Sequence, residues 1–172
     1  QFGRQVLVLD ALGRETSYDY DEYGNVIKTT FDDDSYITST YDDFGRVLSE
    51  TDALGNTKNY EYDEQGRLIA VILPEVENPA DTEQMVRPRY EYEYDAQGNR
   101  TVIRDNVVQI GSSILYDHDG VFGIDSRETL FTYDDFGNQL TRELPMGQTE
   151  YFEYDEETLR LIQHTDFEGN IT

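Results

Sequence analysis

The stretch of this chain that comes closest to a reactive or metal-binding pattern is acidic. Asp117, Asp119, Asp125 and Glu128 occupy positions 1, 3, 9 and 12 of a loop. Calcium-binding loops carry oxygen ligands at these positions because several hard oxygens must converge on one ion. Phe122 stands at position 6, where such a loop needs Gly, and no helical pattern flanks the stretch. Calcium is one hypothesis for these four residues, and an ordinary acidic turn is the alternative that the sequence favours.

Catalytic groups are scarce in the sequence. It has no cysteine, so disulfides, thiolate zinc sites and a cysteine nucleophile are excluded. His118 and His164 are the two histidines, and no serine lies in the sequence context of a nucleophile elbow. With 37 acidic residues, close carboxylate pairs arise by chance and do not indicate a glycosidase. We therefore predict no catalytic residue, no enzymatic activity and no cofactor apart from the calcium hypothesis.

The charge of the chain narrows the range of partners. Its net charge is −24, from 37 acidic and 13 basic residues. Such a field repels nucleic-acid phosphates and anionic lipid headgroups. No apolar run approaches the roughly 18 residues that a membrane span requires. The sequence predicts neither nucleic-acid binding nor membrane insertion.

Most of the aspartates belong to a repeated turn. The motif Asp-x-x-Gly recurs every ten or eleven residues over much of the chain, and eight of its nine copies are followed by Arg or Asn. Asp in the first position and Gly in the fourth are typical of a type I turn, in which Gly takes a positive φ. We predict structural turns at Asp10–Gly13, Asp21–Gly24, Asp42–Gly45, Asp52–Gly55, Asp63–Gly66, Asp95–Gly98, Asp117–Gly120, Asp134–Gly137 and Asp166–Gly169.

Between turns, six or seven residues alternate in polarity with period two, as in Tyr90–Tyr94. That length and pattern indicate one strand per segment. We predict an all-β chain of tandem antiparallel hairpins that forms a curved or spiralling ribbon without a thick core. Residues 1–172 are expected to be a single array of repeats of about 21 residues.

Each repeat combines two kinds of turn. In one kind an aromatic residue precedes Asp, as at Tyr41-Asp42; the other resembles Asp-Ala-Leu-Gly, as at Asp52–Gly55. The recurring tyrosines allow two interpretations, a ligand-stacking platform or a structural ladder. The ladder is favoured because Tyr falls at the same place in each repeat.

Two insertions, at about 74–89 and 106–127, interrupt the array. The first is rich in Glu, Asp and Pro. It is predicted to be an exposed surface loop that proteases cut first, or an excursion that lengthens or caps a hairpin.

The repeat resembles that of the Rhs/YD-repeat family, most clearly in Tyr41–Leu48, Tyr60–Leu68 and Tyr92–Arg100. The resemblance implies a β-sheet ribbon that spirals into a hollow shell. In bacterial polymorphic and insecticidal toxins of this family the shell encloses a C-terminal toxic domain, and in the animal teneurins a related shell supports cell-surface adhesion. The Asp-Pro-rich core motif and a toxin domain are missing from this sequence, which resembles an internal stretch of shell.

These observations predict a structural role outside the cytoplasm, as a shell or scaffold segment that encloses or presents cargo. The expected partners are neighbouring repeats of the same or identical chains, with an enclosed toxin domain as cargo. The alternative is a secreted adhesion module that recognises a glycan or a protein with the help of calcium.

Overall fold

A computed structural model describes residues 4, 6–78, 81–110, 113–115 and 127–172. Within these ranges the chain forms fifteen β-strands and no helix, and the strand pairs described below are antiparallel. The predicted all-β class, built from tandem antiparallel hairpins, is confirmed. The chain divides into two compact units, Gln1–Glu75 and Val76–Thr172.

The first unit is a meander in which each strand pairs with the next along the chain. Short turns join the strands, so sequence neighbours become neighbours in the sheet. Its strands are β1 (Leu7–Leu9), β2 (Glu15–Tyr20), β3 (Val26–Phe31), β4 (Tyr36–Tyr41), β5 (Val47–Thr51), β6 (Thr57–Tyr62) and β7 (Leu68–Ile72).

The second unit is a similar meander with a longer hairpin at its start. The order of its main strands is β9–β10–β12–β13–β14–β15, while β8 pairs with β9 and β11 pairs with the far end of β10. Its strands are β8 (Val76–Asn78), β9 (Asp81–Tyr94), β10 (Arg100–Ile110), β11 (Ser113–Leu115), β12 (Arg127–Tyr133), β13 (Gln139–Glu143), β14 (Thr149–Tyr154) and β15 (Leu161–Thr165).

The two faces of the first unit differ in chemistry. On one face hydroxyls meet across neighbouring strands: Thr40 Oγ1 lies 2.6 Å from Ser49 Oγ, and Thr51 Oγ1 lies 2.8 Å from Thr57 Oγ1. Because successive strand residues point to opposite faces, Tyr60 lies on the other face. Each cross-strand pair of hydroxyls contributes about 0.2–1 kcal/mol to the stability of the sheet.

Fully buried apolar side chains are few in the described part of the chain, as expected for hairpins without a thick core. Most of the sheet is therefore stabilised by ladders and turns rather than by a packed interior. The buried apolar residues are Ala70 and Ile72 in β7, and Val86, Val102, Val107 and Val108 in β9 and β10.

The loop predicted for the first insertion is wrong. Residues 76–78 and 81–88 lie in strands β8 and β9, and Val86 is only 1% exposed. Pro88 pairs in register with Val108, and a register shift lies nearby, between Arg104 and Val107 of β10. The acidic and proline residues near Val86 obscured the alternation of polar and apolar residues that indicates a strand. The insertion lengthens a hairpin, which was the other interpretation of its sequence.

The second insertion lies only in part within the described residues. Strand β10 continues to Ile110, and β11 pairs with it through Ser113–Leu115. Asp117, Asp119 and Asp125 lie outside the described residues, as do His118 and the Asp117–Gly120 turn.

Candidate functional site: the stacked turns

Each turn is a closed hydrogen-bonded unit, and the turn from Asp42 to Arg46 contains all its parts. The Gly45 N–H donates to the Asp42 carbonyl (3.0 Å), and the Asp42 N–H donates to the Arg46 carbonyl (2.9 Å). Asp42 Oδ1 accepts the N–H groups of Phe44 and Arg46 at 2.9 Å, and Asp42 Oδ2 accepts Arg46 Nε at 2.6 Å. Gly45 has a φ of 78°, in the left-handed region that favours glycine. The unit is a type I turn followed by a glycine bulge.

The same arrangement recurs along both units. Where Asn replaces Arg as the fifth residue, its Nδ2 donates to the second carboxylate oxygen, as from Asn56 to Asp52 at 2.9 Å. The fifth side chain therefore completes the turn, which explains why Arg or Asn so often follows Gly. Positive φ values from 78° to 103° occur at Gly13, Gly24, Gly45, Gly55, Gly66, Gly98, Gly137, Gly147 and Gly169.

The turn carboxylates are held in their ionised form. At Asp10 the backbone N–H of Arg14 is the largest cause that lowers the pKa below its usual value. At Asp52 the side-chain hydrogen bond from Asn56 is the largest cause of a lowered pKa. At Asp42 desolvation is the largest single cause and raises the pKa, but the hydrogen bonds from Arg46 and Phe44 and the charge of Arg46 together lower it below its usual value. Hydrogen bonds within the turn occupy both oxygens of these carboxylates, so few acceptor positions remain for a ligand.

Within each unit, turns preceded by tyrosine are joined to one another along one edge, which we call the Tyr-Asp edge of that unit. It comprises the turns 21–25, 42–46 and 63–67 in the first unit, and the turns 95–99 and 134–138 in the second. The Tyr41 hydroxyl donates to the carbonyl of Val26, just after the preceding turn of this edge, at 2.9 Å. The Tyr62 hydroxyl donates in the same way to the Val47 carbonyl at 3.0 Å. In the second unit, the Tyr133 hydroxyl donates to the Arg100 carbonyl at 2.9 Å.

The fifth residue of one turn also lies against the glycine of the next turn on this edge. A Cβ placed on Gly66 would lie 2.9 Å from Arg46 Nη1, and one on Gly45 would lie 3.3 Å from Asn25 Oδ1. Arg46 also lies over the ring of Tyr62, 4.8 Å from its centroid. Gly66 is thus required for its φ of 84° and for the close approach of Arg46.

The opposite edge of each unit is more open, and we call it the open edge. It is made by turns 10–14, 31–35 and 52–56 in the first unit, and by turns 144–148 and 166–170 in the second. A Cβ on its glycines would meet nothing within 4 Å, at Gly13, Gly55, Gly147 and Gly169 alike. Its turn tips carry Leu12, Leu54 and Met146, each at least 80% exposed. A contact between its turns is the bond from the Glu15 N–H to Asp32 Oδ1, at 3.0 Å.

Three turns lack the full Asp-x-x-Gly motif but lie at the repeat spacing, and each is closed by a different residue or hydrogen bond. In the turn at 31–35, Asp34 takes the positive φ, at 62°. Leu144 replaces Asp at the start of the turn that Gly147 closes. The turn after Asp155 is one residue longer, and Leu159, with a φ of 54°, donates its N–H to the Asp155 carbonyl.

The sequence located the turns but missed the links between them. Tyrosine was predicted as a cross-strand ladder, whereas the hydroxyls of Tyr41 and Tyr62 reach backbone carbonyls at the preceding turn. The sequence feature that indicates these links is a Tyr directly before the Asp of the turn together with an Arg or Asn directly after its Gly. Turns with both features occur on the Tyr-Asp edge only.

Of the four candidate calcium ligands, only Glu128 lies within the described residues. Its carboxylate pairs with Arg104 Nε at 2.5 Å, and Arg104 also pairs with Glu93. Across the described ranges, no group of three or more His, Asp or Glu side chains is arranged to hold a metal ion. His164 stacks on Phe152, with ring centroids 4.8 Å apart, and its Nε2 lies 3.5 Å from Glu150 Oε1.

Comparison with known proteins bears on the turns directly. The sequence model of the family described as RHS Repeat matches residues 2–35 and 41–75, which carry the turns of the first unit. Residues 2–35 and 41–75 therefore match Rhs repeats. The resemblance drawn from the Tyr-Asp turns is thereby confirmed, and the Rhs repeat supports a structural scaffold role. No curated protein matches the chain.

Solved structures similar to this chain include a mutant Tc holotoxin pore from Photorhabdus luminescens. That likeness has 18% identity and a TM-score of 0.47, over 93% of this chain and 10% of the other. A crystal structure of TcdB2-TccC3 matches at 19% identity and a TM-score of 0.45, over 91% of this chain and 9% of the other. This chain thus spans about a tenth of the length of those chains. In the part of the chain that is described, no helix is long and apolar enough to cross a membrane.

Proposed function

We propose that this chain is a structural segment of an Rhs-type shell that encloses or presents cargo outside the cytoplasm. Its side chains serve the scaffold, and it has no catalytic activity of its own. Residues 1–172 act as one array of repeats of about 21 residues, with insertions at about 74–89 and 106–127. The cargo is a toxin domain, as the family resemblance implies, and neither nucleic acid nor a membrane is a partner.

The observation that carries this proposal is the linkage along the Tyr-Asp edge. A tyrosine, an aspartate, a glycine and an Arg or Asn recur in each of these turns, and each has a structural contact. Tyr62, for example, binds the Val47 carbonyl, and Arg46 closes its own turn while lying over the Tyr62 ring. Because every link joins nearest neighbours, repeats can be added without changing those already present. That property suits a shell wall rather than a binding or catalytic site.

The proposed partners are neighbouring repeats, in the same polypeptide or in identical chains. Among the described residues of its unit, β1 pairs with β2 alone, whereas β15 pairs with β14 and, at its C-terminal end, with Ile171 and Thr172. The free side of β15 is therefore its first part, from Leu161 to Gln163. Leu7 and Leu9 in β1 are 46% and 60% exposed, and Leu161 and Ile162 in β15 are 51% and 62% exposed. Unpaired backbone groups next to exposed apolar side chains favour the addition of another strand.

Sedimentation of the purified chain over a range of concentrations, at low and at physiological ionic strength, tests the partner proposal. The charge of −24 opposes association, so added salt should promote it. Hydrogen exchange should then slow in Leu7–Leu9 and in residues 161–163 as the chains associate. A monomer under all conditions, with both strands already protected from exchange, would contradict the proposal.

A further inference from the structure

The last strand of the second unit carries a histidine whose ring has a fixed position. The His164 ring stacks on the Phe152 ring, with centroids 4.8 Å apart and an interplanar angle of 15°. The backbone of His164 pairs with Phe152 in β14 and, on its other side, exchanges two hydrogen bonds of 2.9 Å with Thr172. The residue is thus held by strands on both sides, and its imidazole faces one defined set of neighbours.

A carboxylate lies beside the Nε2 atom of this imidazole. Glu150 in β14 is 8% exposed, and its Oε2 pairs with Arg142 Nη2 in β13 at 2.8 Å. The other carboxylate oxygen, Oε1, lies 3.5 Å from His164 Nε2. That nitrogen is buried and has no hydrogen-bond partner among the residues that the structure describes. Glu150 therefore has one close cationic partner, Arg142, and one incomplete contact, with His164.

The protonation state of His164 governs the strength of the incomplete contact. A neutral imidazole carries a proton on one ring nitrogen only, whereas an imidazolium donates from both. A positive ring can therefore donate from Nε2 to the carboxylate and attract it at the same time. Hydrogen bonds between charged groups are roughly twice as strong as those between neutral ones. Protonation would thus give Glu150 a second charged partner.

The other charges near His164 act in the same direction. The pKa of Asp166 is lowered mainly by the side-chain hydrogen bond from Asn170 and, to a smaller extent, by the charge of His164. Together Arg142, Glu150 and Asp166 have one net negative charge, which a protonated His164 would neutralise. The other charged residues of β13 and β14 lie on the opposite face of the sheet, and they are Glu143 and Glu153.

We propose that His164 makes this end of the second unit sensitive to pH, because its protonation ties β15 to β14 and β13 through Glu150. The following turn, 166–170, is included, since the Arg142 guanidinium lies 4.9 Å from the centroid of the Phe167 ring. The stabilisation is present while the imidazole is protonated and is lost as the pH rises through its titration. Neither the Rhs repeat nor the shell function assigns a pH response to this strand, so the proposal goes beyond both.

Amide hydrogen exchange of the whole chain at about pH 5.5 and about pH 8 tests the proposal, because imidazoles ordinarily titrate in this range and carboxylates do not. Rates are expressed as protection factors, which remove the intrinsic effect of pH, at one low protein concentration and constant ionic strength. Protection of Leu161–Thr165 should be roughly twofold to fivefold higher at the lower pH, as expected for a partly exposed ion pair. Strand β5 of the first unit is the internal reference. Equal protection of Leu161–Thr165 at both pH values would overturn the proposal.

Two variants and a control assign the effect to the contact between His164 and Glu150. His164→Gln and Glu150→Gln should each remove the pH dependence of protection in β15. Glu150→Gln also weakens the pair with Arg142 and should lower protection at both pH values, so the ratio between the two values is the readout. His118→Gln changes the other histidine of the chain and should leave that ratio as in the wild type. PH dependence that persists in His164→Gln or Glu150→Gln, or that disappears in His118→Gln, would refute the proposal.

Discussion

The Tyr-Asp edge and the open edge of the first unit use the same turn and connect it differently. Turns 42–46 and 52–56 close with the same hydrogen bonds from the same positions. On the first edge Arg46 reaches the next turn, at Gly66, whereas a Cβ on Gly55 would meet nothing within 4 Å. Turn closure is therefore a local property of the five-residue motif. Contact between successive turns needs the additional tyrosine. The Tyr-Asp edge is therefore continuous, whereas cavities lie between the turns of the open edge.

Acid should have the largest effect because it removes a contribution that both edges share. The folded-state pKa values of Asp42, Asp52 and Asp63 lie below the usual value. Their contribution to stability is present above the unfolded pKa, about 3.9, and is lost as the pH falls through the folded values. The urea midpoint should therefore fall steeply between about pH 4 and pH 2.

Single-site variants sharpen this test. Asp52→Asn and Asp63→Asn should reduce the acid dependence to a similar extent, since both edges close their turns in the same way. Urea titrations at a series of pH values would measure both slopes. A midpoint that does not change between pH 6 and pH 2 would contradict the role given to these carboxylates.

Replacement of a turn glycine should have the next largest effect. Gly66→Val places a β-branched residue at a φ of 84° and should lower the free energy of unfolding by more than about 1 kcal/mol. Gly55→Val, at a φ of 87° on the open edge, should cost less because no neighbouring side chain must move. Urea unfolding of the two variants gives the difference, with Glu64→Gln as a control expected to change little. Equal losses in all three would contradict the turn assignment.

Loss of a tyrosine hydroxyl should have a smaller effect, confined to the Tyr-Asp edge. Tyr62→Phe leaves the Val47 carbonyl without this donor and should cost about 0.5–1.5 kcal/mol. Tyr23→Phe is the matched control, since Tyr23 is 74% exposed at a turn tip and should tolerate the change. The comparison would fail if both variants unfolded at the same urea concentration.

The sequence was sufficient for the strands and the turns because both depend on local rules. Alternation with period two and Asp-x-x-Gly fix a hairpin within about ten residues, and β5, the 52–56 turn and β6 follow from them. It was insufficient where distant residues decide the outcome. The strand around Val86 depends on pairing with β10, where Arg87 and Pro88 meet Gln109 and Val108 far along the chain, and local composition suggested a loop. Likewise, the Tyr62 hydroxyl meets a carbonyl 15 residues away, a contact that the local pattern does not specify.

Consecutive turns of the Tyr-Asp edge stabilise one another. A double-mutant cycle of Arg46→Ala and Tyr62→Leu measures this coupling most directly, because the two residues belong to successive turns and the Arg46 guanidinium lies 4.8 Å from the centroid of the Tyr62 ring. Tyr62→Phe keeps the ring and removes the hydroxyl alone, so it is the matched comparison for the ring contact.

We expect a coupling free energy of about 0.5–1 kcal/mol between Arg46→Ala and Tyr62→Leu, from urea unfolding of the single and double variants. On the open edge, Arg14→Ala and Leu54→Ala, in turns that do not meet, should be additive. Additivity within about 0.3 kcal/mol for Arg46 and Tyr62 would contradict the claim that the stacked turns form a coupled scaffold.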